Sequence, residues 1–189
     1  DGTLRWRSAI GAQDPTTPMI STLSQVILGA VDGRVRAFSS SGEKLWESDS
    51  LGAPIRGGAI APSGTLVFSG NNRLIALGPD GTLQWQITLP GTAGIPVIAP
   101  DGAIHIGMSD QPDPNLPVAG RVSVYEADGR LRWSQPVEYP ALQAGAIASD
   151  GTLFIPVGHR LVAWNRNGTL RFRLSTEGDN LGAPLIGFD

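Results

Sequence analysis

Residues 80–85 read DGTLQW, and this pattern of a turn dipeptide with an aromatic residue four positions after its glycine occurs five times in the 189-residue chain. The copies are DGTLRW (1–6), SGEKLW (41–46), DGTLQW (80–85), DGRLRW (128–133) and NGTLRF (167–172). Their aromatic residues lie 40, 39, 48 and 39 residues apart. A period of about 40 residues predicts a repeat architecture, in which each copy is one supersecondary unit.

Two further pieces of sequence recur upstream of the turn-plus-aromatic motif. One begins with Arg and ends with a large apolar residue: RVRAF (34–38), RLIAL (73–77), RVSVY (121–125) and RLVAW (160–164). The other places a turn between two apolar runs: AIAPSGTLVF (59–68), VIAPDGAIHI (97–106), AIASDGTLFI (146–155) and the weaker MISTLSQVIL (19–28). Turns of this composition predict tight hairpins of type I′, with positive φ at both central residues.

Each period therefore holds two hairpins and four strands of about five to seven residues, lettered A to D from the axis to the rim. Four antiparallel strands per 40 residues are typical of a β-propeller blade. Apolar residues at consecutive positions, as in Leu66–Phe68, indicate strands buried on both faces, which a blade between two neighbours requires. Proline and glycine in the connections and the lack of helical periodicity argue against helices.

The predicted fold class is all-β: a β-propeller arc of about four four-stranded antiparallel blades. We place the blades at about 18–49, 55–88, 95–136 and 142–175 of a single segment that covers residues 1–189. One outer strand within 1–10 and one inner strand within 182–189 are assigned to an incomplete blade. The interpretation is a piece of a larger propeller, whose remaining blades in the same parent chain would be its neighbours.

The recurring aromatic residues and turn glycines are interpreted as structural. A tryptophan that returns once per blade predicts a side chain wedged between adjacent blades. These repeat positions are Trp6, Trp46, Trp85, Trp133 and Phe172, with Gly2, Gly42, Gly81, Gly129 and Gly168.

Composition excludes several classes of partner and site. The formal net charge is −3, which argues against nucleic acid and anionic membranes as partners. There is no apolar run long enough for a membrane insertion, and no signal peptide at the start, so we expect that any leader has been removed. The absence of cysteine excludes disulfides and cysteine-ligated metals.

Few residues could carry chemistry. Of the two histidines, His105 in a B strand is interpreted as an interior residue, and His159 is expected in an exposed B–C turn. The insertion SDQPDPNLPVAG (109–120) lengthens the third repeat, and its Asp110, Asp113 and Asn115 are weak candidates for one cation, without the spacing of a calcium loop. No catalytic, cofactor-binding or metal-binding set is predicted.

The B–C and D–A connections share one side of the disc, and they hold the insertion and the long proline- and glycine-containing segments. Function concentrates on variable loops that a rigid scaffold holds, so this side is the expected partner-binding face. The candidate partner-binding residues are Asp32, Asn71, Asn72, Asp110, Asp113, Asn115 and His159.

At these residues the chain resembles the PQQ-like (quinoprotein-like) β-propeller repeat family. The family pattern is matched by Ala37-Phe38 with Gly42 and Trp46, and again in each following repeat. In one branch, the dehydrogenases, the resemblance would imply pyrroloquinoline quinone, calcium held by Glu and Asn, and a catalytic Asp. None of these can be matched here residue by residue. The other branch, which is similar to the lipoprotein propeller of the outer-membrane barrel-assembly machinery, implies a scaffold without a cofactor.

The sequence thus predicts a non-catalytic binding or scaffold module of an exported bacterial protein, with a protein or polysaccharide partner. The expected location is periplasmic, at the cell surface or secreted. Two alternatives stay open: a fragment of a PQQ-dependent dehydrogenase, and a lectin-like carbohydrate-binding propeller.

Overall fold

The computed structural model describes residues 2–110, 118–176 and 182–187, and all regular secondary structure in them is β. Nowhere in this part of the chain is there a helix that could span a membrane. The strands are β1 Met19–Ile20, β2 Val26–Gly29, β3 Val35–Phe38, β4 Lys44–Glu47, β5 Gly57–Ile60, β6 Leu66–Gly70, β7 Arg73–Leu77, β8 Leu83–Thr88, β9 Thr92–Ala93, β10 Val97–Ile98, β11 Ile104–Asp110, β12 Ala119–Tyr125, β13 Leu131–Val137, β14 Ala146–Ile147, β15 Leu153–Val157, β16 Arg160–Trp164 and β17 Leu170–Ser175.

These strands form four antiparallel sheets that follow one another along the chain. The orders are β1-β2-β3-β4, β5-β6-β7-β8, β10-β11-β12-β13 and β14-β15-β16-β17. We call these sheets blades 1 to 4, with strands A to D in each. The predicted all-β propeller arc of four-stranded antiparallel blades is confirmed.

The lengths of individual strands differ from the prediction. The inner strands β1, β10 and β14 have two residues each, whereas β11, β12 and β13 have seven. In blade 3 the long β11 extends past β10, and β9 pairs with the additional length at Met108 and Ser109. The third sheet therefore has a fifth strand that the repeat pattern did not predict.

The two terminal strands that the sequence predicted are not formed. Residues 2–10 and 182–187 contain no strand. The physical reason is pairing: a strand is defined by the ladder it shares with a neighbour, and neither segment forms a ladder with a described strand.

The tight turns are of a different type from the predicted one. In blade 2 the N–H of Gly81 donates to the carbonyl of Gly78 (3.0 Å), and the N–H of Gly78 donates to Thr82 (2.8 Å). Gly81 has φ +85°, and Asp80 is not among the described residues with positive φ. This is a β-turn followed by one left-handed glycine and a bulge, so the type I′ assignment was wrong.

The residue before the glycine explains why one left-handed position suffices. Asp80 Oδ1 accepts the N–H of Thr82 (3.1 Å), which closes a side-chain bridge over Gly81. Asn167 and Asp128 do the same for Thr169 and Arg130, each at 3.1 Å. An Asp or Asn at this place therefore acts as a local acceptor and does not need positive φ itself.

The hydrophobic core lies between neighbouring blades. One cluster joins Ile27 and Val35 of blade 1 to Phe68 and Ile75 of blade 2. A second cluster joins blades 2 and 3, with Ile106 and Met108 at its centre, and a third joins blades 3 and 4. The B and C strands are largely apolar, and in blades 2 and 3 a neighbouring blade covers each face of the sheet.

At every seam, which is the interface between adjacent blades, a tryptophan packs on the turn glycine of the next blade. A Cβ on Gly81 would lie 2.6 Å from Cε3 of Trp46, so the indole occupies the space that a side chain would need. The other pairs with the same contact are Trp6 on Gly42, Trp85 on Gly129 and Trp133 on Gly168. The fourth blade ends differently, because Phe172 is 41% exposed and its ring faces Phe154 at 6.0 Å.

Three of these indoles also donate a hydrogen bond across the seam. The acceptors are backbone carbonyls in the next C–D turn: Ser40 for Trp6 (2.9 Å), Ala127 for Trp85 and Arg166 for Trp133 (both 3.0 Å). Pro79 stands at the equivalent place in blade 2. There the indole nitrogen of Trp46 is buried without a hydrogen-bond partner.

We predict that Gly81→Ala destabilises the protein more than Gly64→Ala. Both residues have φ between +85° and +87°, so both variants carry a left-handed penalty of about 1–2 kcal/mol. Only at Gly81 does the new methyl group also meet an indole, which adds about 1–3 kcal/mol, because nothing lies within 4 Å of a Cβ on Gly64. Urea unfolding of both variants measures the difference, and equal losses would show that the indole does not restrict this turn.

Candidate partner-binding surface

The B–C turns and D–A links lie on one side of the arc, which we call the link side; the A–B and C–D turns form the opposite, turn side. The sequence placed the partner-binding residues on the link side. Among the predicted residues, Asp113 and Asn115 lie outside the described part of the chain. The others occupy turns or strand ends of all four blades.

Asp32 and Asp110 are held by arginines of their own blades. Asp32 Oδ2 accepts a hydrogen bond from Arg36 Nη2 at 2.5 Å, and this bond lowers the pKa of Asp32 below its ordinary value. Arg36 is buried and also binds Glu47 (2.9 Å). Asp110 accepts from Arg121 at 3.2 Å. Both carboxylates thus stabilise their hairpins. Asp110, the one described member of the predicted cation set, forms an ion pair with Arg121.

Asn71 and Asn72 form the exposed B–C turn of blade 2. Asn71 has φ +48°, which asparagine tolerates better than most residues. Its carbonyl accepts the N–H of Ala93 (2.5 Å), and the carbonyl of Asn72 accepts the N–H of Leu89 (2.7 Å). The backbone of this turn is therefore fixed to the following link, while both residues remain exposed.

His159 belongs to a small cluster on blades 3 and 4. Its ring meets Tyr139 edge to face, with 5.5 Å between the ring centroids. Tyr139 covers Gly158, where a Cβ would lie 2.9 Å from the phenol ring, and its own exposure is 40%. The carbonyl of His159 accepts the N–H (3.0 Å) and the hydroxyl (2.7 Å) of Thr176, which fixes the turn.

Two exposed aliphatic residues belong to the same blades. Leu142 lies in the link that follows Tyr139. Val118 lies two residues before Gly120, and the carbonyl of Tyr139 packs against the Cα of Gly120. We call Val118, Tyr139, Leu142 and His159 the link-side patch. The sequence singled out His159 but missed the other three, because an exposed apolar residue in a link cannot be distinguished from a packed one by pattern alone.

A second polar cluster lies on the turn side, between blades 3 and 4. Asp101 Oδ2 accepts hydrogen bonds from Arg132 Nη1 (3.1 Å) and from Arg166 Nη2 of the next blade (2.6 Å). Beside them lies a cavity of about 110 Å³, which His105 and Asp150 also line. The sequence placed His105 in the interior, where it is 3% exposed, but did not predict that this ion pair would close over it.

The environment of this cluster shifts two pKa values. Burial alone would raise the pKa of Asp101, but the N–H of Ala103 and the guanidiniums of Arg132 and Arg166 bring it down to about 2. Loss of hydration lowers the pKa of His105 to about 4, against a smaller opposing effect of the Asp101 charge. At neutral pH the imidazole is therefore uncharged beside an ionised carboxylate.

The residues near the propeller axis do not fit a quinone with calcium. A cavity of about 510 Å³ along the inner strands is lined by apolar residues, including Ile60, Val97, Ile98 and Ile147. Calcium requires several oxygen ligands, and none of these side chains supplies one. Within residues 2–110, 118–176 and 182–187, no group of three or more His, Asp or Glu side chains could hold a metal ion.

Comparison with known proteins identifies the family. The family model described as outer membrane protein assembly factor BamB, which consists of PQQ-like repeats, matches residues 31–111 and 118–187. The chain belongs to this family. A search of curated proteins finds no match to this BamB-family chain.

Two solved structures share the fold of this BamB-family chain. BamB from Moraxella catarrhalis superposes with a TM-score of 0.66 at 16% identity, over 84% of this chain and 48% of that one. A Bacteroides caccae protein of unknown function gives a TM-score of 0.58 at 16% identity, over 80% of this chain and 57% of that one. The BamB-family chain thus spans about half the length of each relative.

We predict that His105 makes the stability of the protein pH-dependent. In the folded state its pKa is about 4, below the ordinary histidine value of 6.5, so the unfolded chain takes up the proton first. The contribution of neutral His105 to the free energy of unfolding is therefore fully present above pH 6.5. It falls as the pH decreases from 6.5 towards 4, and it levels off below that. The loss is on the order of 3 kcal/mol, by the conversion of a pKa difference into free energy.

His105→Val removes the titrating group and serves as the comparison, since valine occupies the equivalent place in blade 2. Urea unfolding of both proteins at pH 7.5, 5.5 and 4 gives the two profiles. Only the difference between them is assigned to His105, because other carboxyl groups titrate in both. Parallel profiles would contradict the prediction.

Proposed function

We propose that this chain is a non-catalytic scaffold of an exported bacterial protein and binds a protein partner through the link-side patch. The observation that carries the proposal is the patch itself: Tyr139 and Leu142 remain 40% and 39% exposed although the segments around them are fixed by hydrogen bonds. Preformed sites that present tyrosine and aliphatic side chains lose little entropy on binding.

The chemistry of the patch favours a protein over a polysaccharide. Tyrosine is enriched among the residues that dominate protein–protein affinity, and Val118 and Leu142 add exposed apolar side chains to the patch. A polysaccharide would need several polar groups aimed at its hydroxyls. Around the patch the nearby charged pair Arg160 and Glu138 is already joined in an ion pair.

The residues that line the propeller axis support the proposal that the chain is non-catalytic. The inner strands offer only apolar side chains where the dehydrogenase branch would need oxygen ligands. The proposed location in the periplasm, at the cell surface or outside the cell is supported by the family description, an outer membrane assembly factor. The similarity to BamB of Moraxella catarrhalis supports the same assignment through the fold.

We further propose that both end faces of the arc are covered by additional blades of the same repeat. On blade 4, Phe172 and Leu174 are 41% and 55% exposed, whereas the equivalent tryptophans of the other blades lie on turn glycines. Gly2 has the φ of a turn glycine, +73°, but nothing lies within 4 Å of its Cβ position. Each end thus presents one half of the contact that joins the other blades.

A photocrosslinking amino acid at Leu142 tests the partner-binding proposal. In the bacterium that produces the protein, we expect a protein adduct from this position, because Leu142 is an exposed residue of the proposed interface. The additional change Tyr139→Ala should reduce the yield at least tenfold, as expected when an anchoring tyrosine contributes about 2 kcal/mol or more. Mass spectrometry of the adduct identifies the partner.

Leu83 on the outer strand of blade 2 provides the control position, since it is 54% exposed and remote from the link side. Equal adducts from Leu83 would contradict the assigned surface. A glycan adduct at Leu142 would instead favour the polysaccharide alternative. Circular dichroism of Tyr139→Ala separates loss of the contact from loss of the fold.

For the end faces, we predict that residues 1–189 alone self-associate at micromolar concentration, because exposed apolar sheet surface drives association. Phe172→Glu combined with Leu174→Glu should shift the protein towards the monomer. Leu131→Glu is the matched control, since Leu131 is 57% exposed in the interior of the arc. Light scattering gives the masses, and a fully monomeric unmodified chain would contradict uncovered end faces.

A further inference from the structure

The four blades can be aligned by their strand pairing, and blade 3 departs from the others at a buried position. In each blade the aromatic residue of strand D pairs with one residue of strand C. That C-strand residue pairs in turn with one residue of strand B. These B-strand residues are Ile27, Val67, His105 and Phe154. An imidazole thus occupies a place that is apolar in the other three blades.

Blade 4 departs from the repeat at a second position, in its C–D turn. Arg166 stands where the other turns have Ser40, Pro79 and Ala127. Both departures line the same cavity of about 110 Å³ between blades 3 and 4. Two independent changes to a repeat that meet at one cavity indicate a site that the packing of the blades does not require.

The buried imidazole is costly for the packing of the blades. His105 is 3% exposed and lines the cavity, and its Nδ1 is buried without a hydrogen-bond partner. Buried polar atoms in proteins are nearly always paired, so an unpaired one destabilises the fold. A valine at this place would avoid the cost altogether, as blade 2 shows with Val67.

The charges around the cavity define the ligand that fits. Asp101 and Asp150 supply acceptors, Arg132 and Arg166 supply donors, and the formal charges of these four groups cancel. The carboxylate of Asp150 receives hydrogen bonds from Thr152 and Arg171 and has acceptor capacity left for a ligand. An anion would be repelled by the two carboxylates, and a cation by the two guanidiniums. A neutral group that both donates and accepts can bond to a carboxylate and to a guanidinium at once.

Size distinguishes between neutral groups. A volume of about 110 Å³ equals about three to four water molecules in the liquid. A side-chain amide has about that many heavy atoms, whereas a pyranose ring with its hydroxyls is several times larger. Ala99, Pro100 and Gly151 form the apolar wall against which the short stem of such a side chain would pack.

We propose that this cleft binds the side-chain amide of an asparagine or glutamine presented by a second protein. The guanidinium of Arg166, whose side chain is 63% exposed and donates to Asp101, has further N–H groups that can donate to the amide oxygen. The carboxylate of Asp150 accepts from the amide nitrogen. The cleft lies on the turn side, so this interaction is separate from the link-side patch and does not depend on it.

N-acetyl-asparagine methylamide tests the proposal by titration into the labelled protein, with the imidazole of His105 and the Nε–H of Arg166 followed by NMR. We expect saturable shifts at both residues with a dissociation constant on the order of millimolar, as for a fragment of this size. The isosteric N-acetyl-aspartate methylamide and methyl glucoside should bind at least tenfold more weakly. Tighter binding of the aspartate probe or of the glucoside, or no shift with any probe, overturns the proposal.

Arg166→Ala introduces the residue that blade 3 carries in its own turn, and it should weaken the asparagine probe at least tenfold. Asp150→Asn is the second variant, and it should weaken the asparagine probe to a similar extent. It keeps the test decisive if Arg166→Ala does not fold. Arg130→Ala is the control, because it removes the same charge from an exposed arginine that pairs with Asp128 and does not line the cavity. Unchanged affinity in both cleft variants, or an equal loss in the control, overturns the assignment.

Discussion

The contact between an indole and the turn glycine of the next blade is the constraint on which this arc depends. Each blade is a small sheet that cannot bury its own apolar residues, so stability comes from the seams between blades. At each seam the glycine has two requirements: a left-handed backbone to complete the turn, and no Cβ, so that the indole can approach. Both requirements fall on one residue, and this explains why the turn dipeptide and the aromatic residue recur together along the chain.

The same constraint separates packing from recognition. Residues at the seams are determined by their neighbours, whereas the B–C turns and D–A links have only to connect strands. Asp32 and Asp110 show that a polar residue on these loops can still belong to the scaffold, since both are held by arginines of their hairpins. Tyr139 and Leu142, in contrast, are exposed although their backbone is fixed, and this combination is what the proposed interface requires.

The repeat and the four-stranded blade could be predicted from the sequence because each follows a one-dimensional period, whereas the additional strand β9 and the unpaired terminal segments could not. Turn geometry could not, because Asp-Gly is compatible with more than one turn, and only φ at Asp80 and Gly81 distinguishes them. The cleft around His105 was also out of reach of the sequence, since it combines the A–B turn of blade 3 with the C–D turn of blade 4. Residues 101 and 166 are 65 positions apart, and only the packing of adjacent blades brings them together.

The four indole contacts along the arc, three between blades and one from Trp6 to blade 1, are chemically unequal, and this bears on how blade 1 is held. Three carry an indole-to-carbonyl hydrogen bond, whereas the seam between blades 1 and 2 has Pro79 at the acceptor position and leaves Trp46 unbonded. The same seam borders a cavity of about 600 Å³, lined by residues from Glu47 to Gln86. Blade 1 is therefore held to blade 2 by the shared apolar cluster and by backbone bonds such as that from Ile55 to Ala30, without the indole bond found at the other contacts.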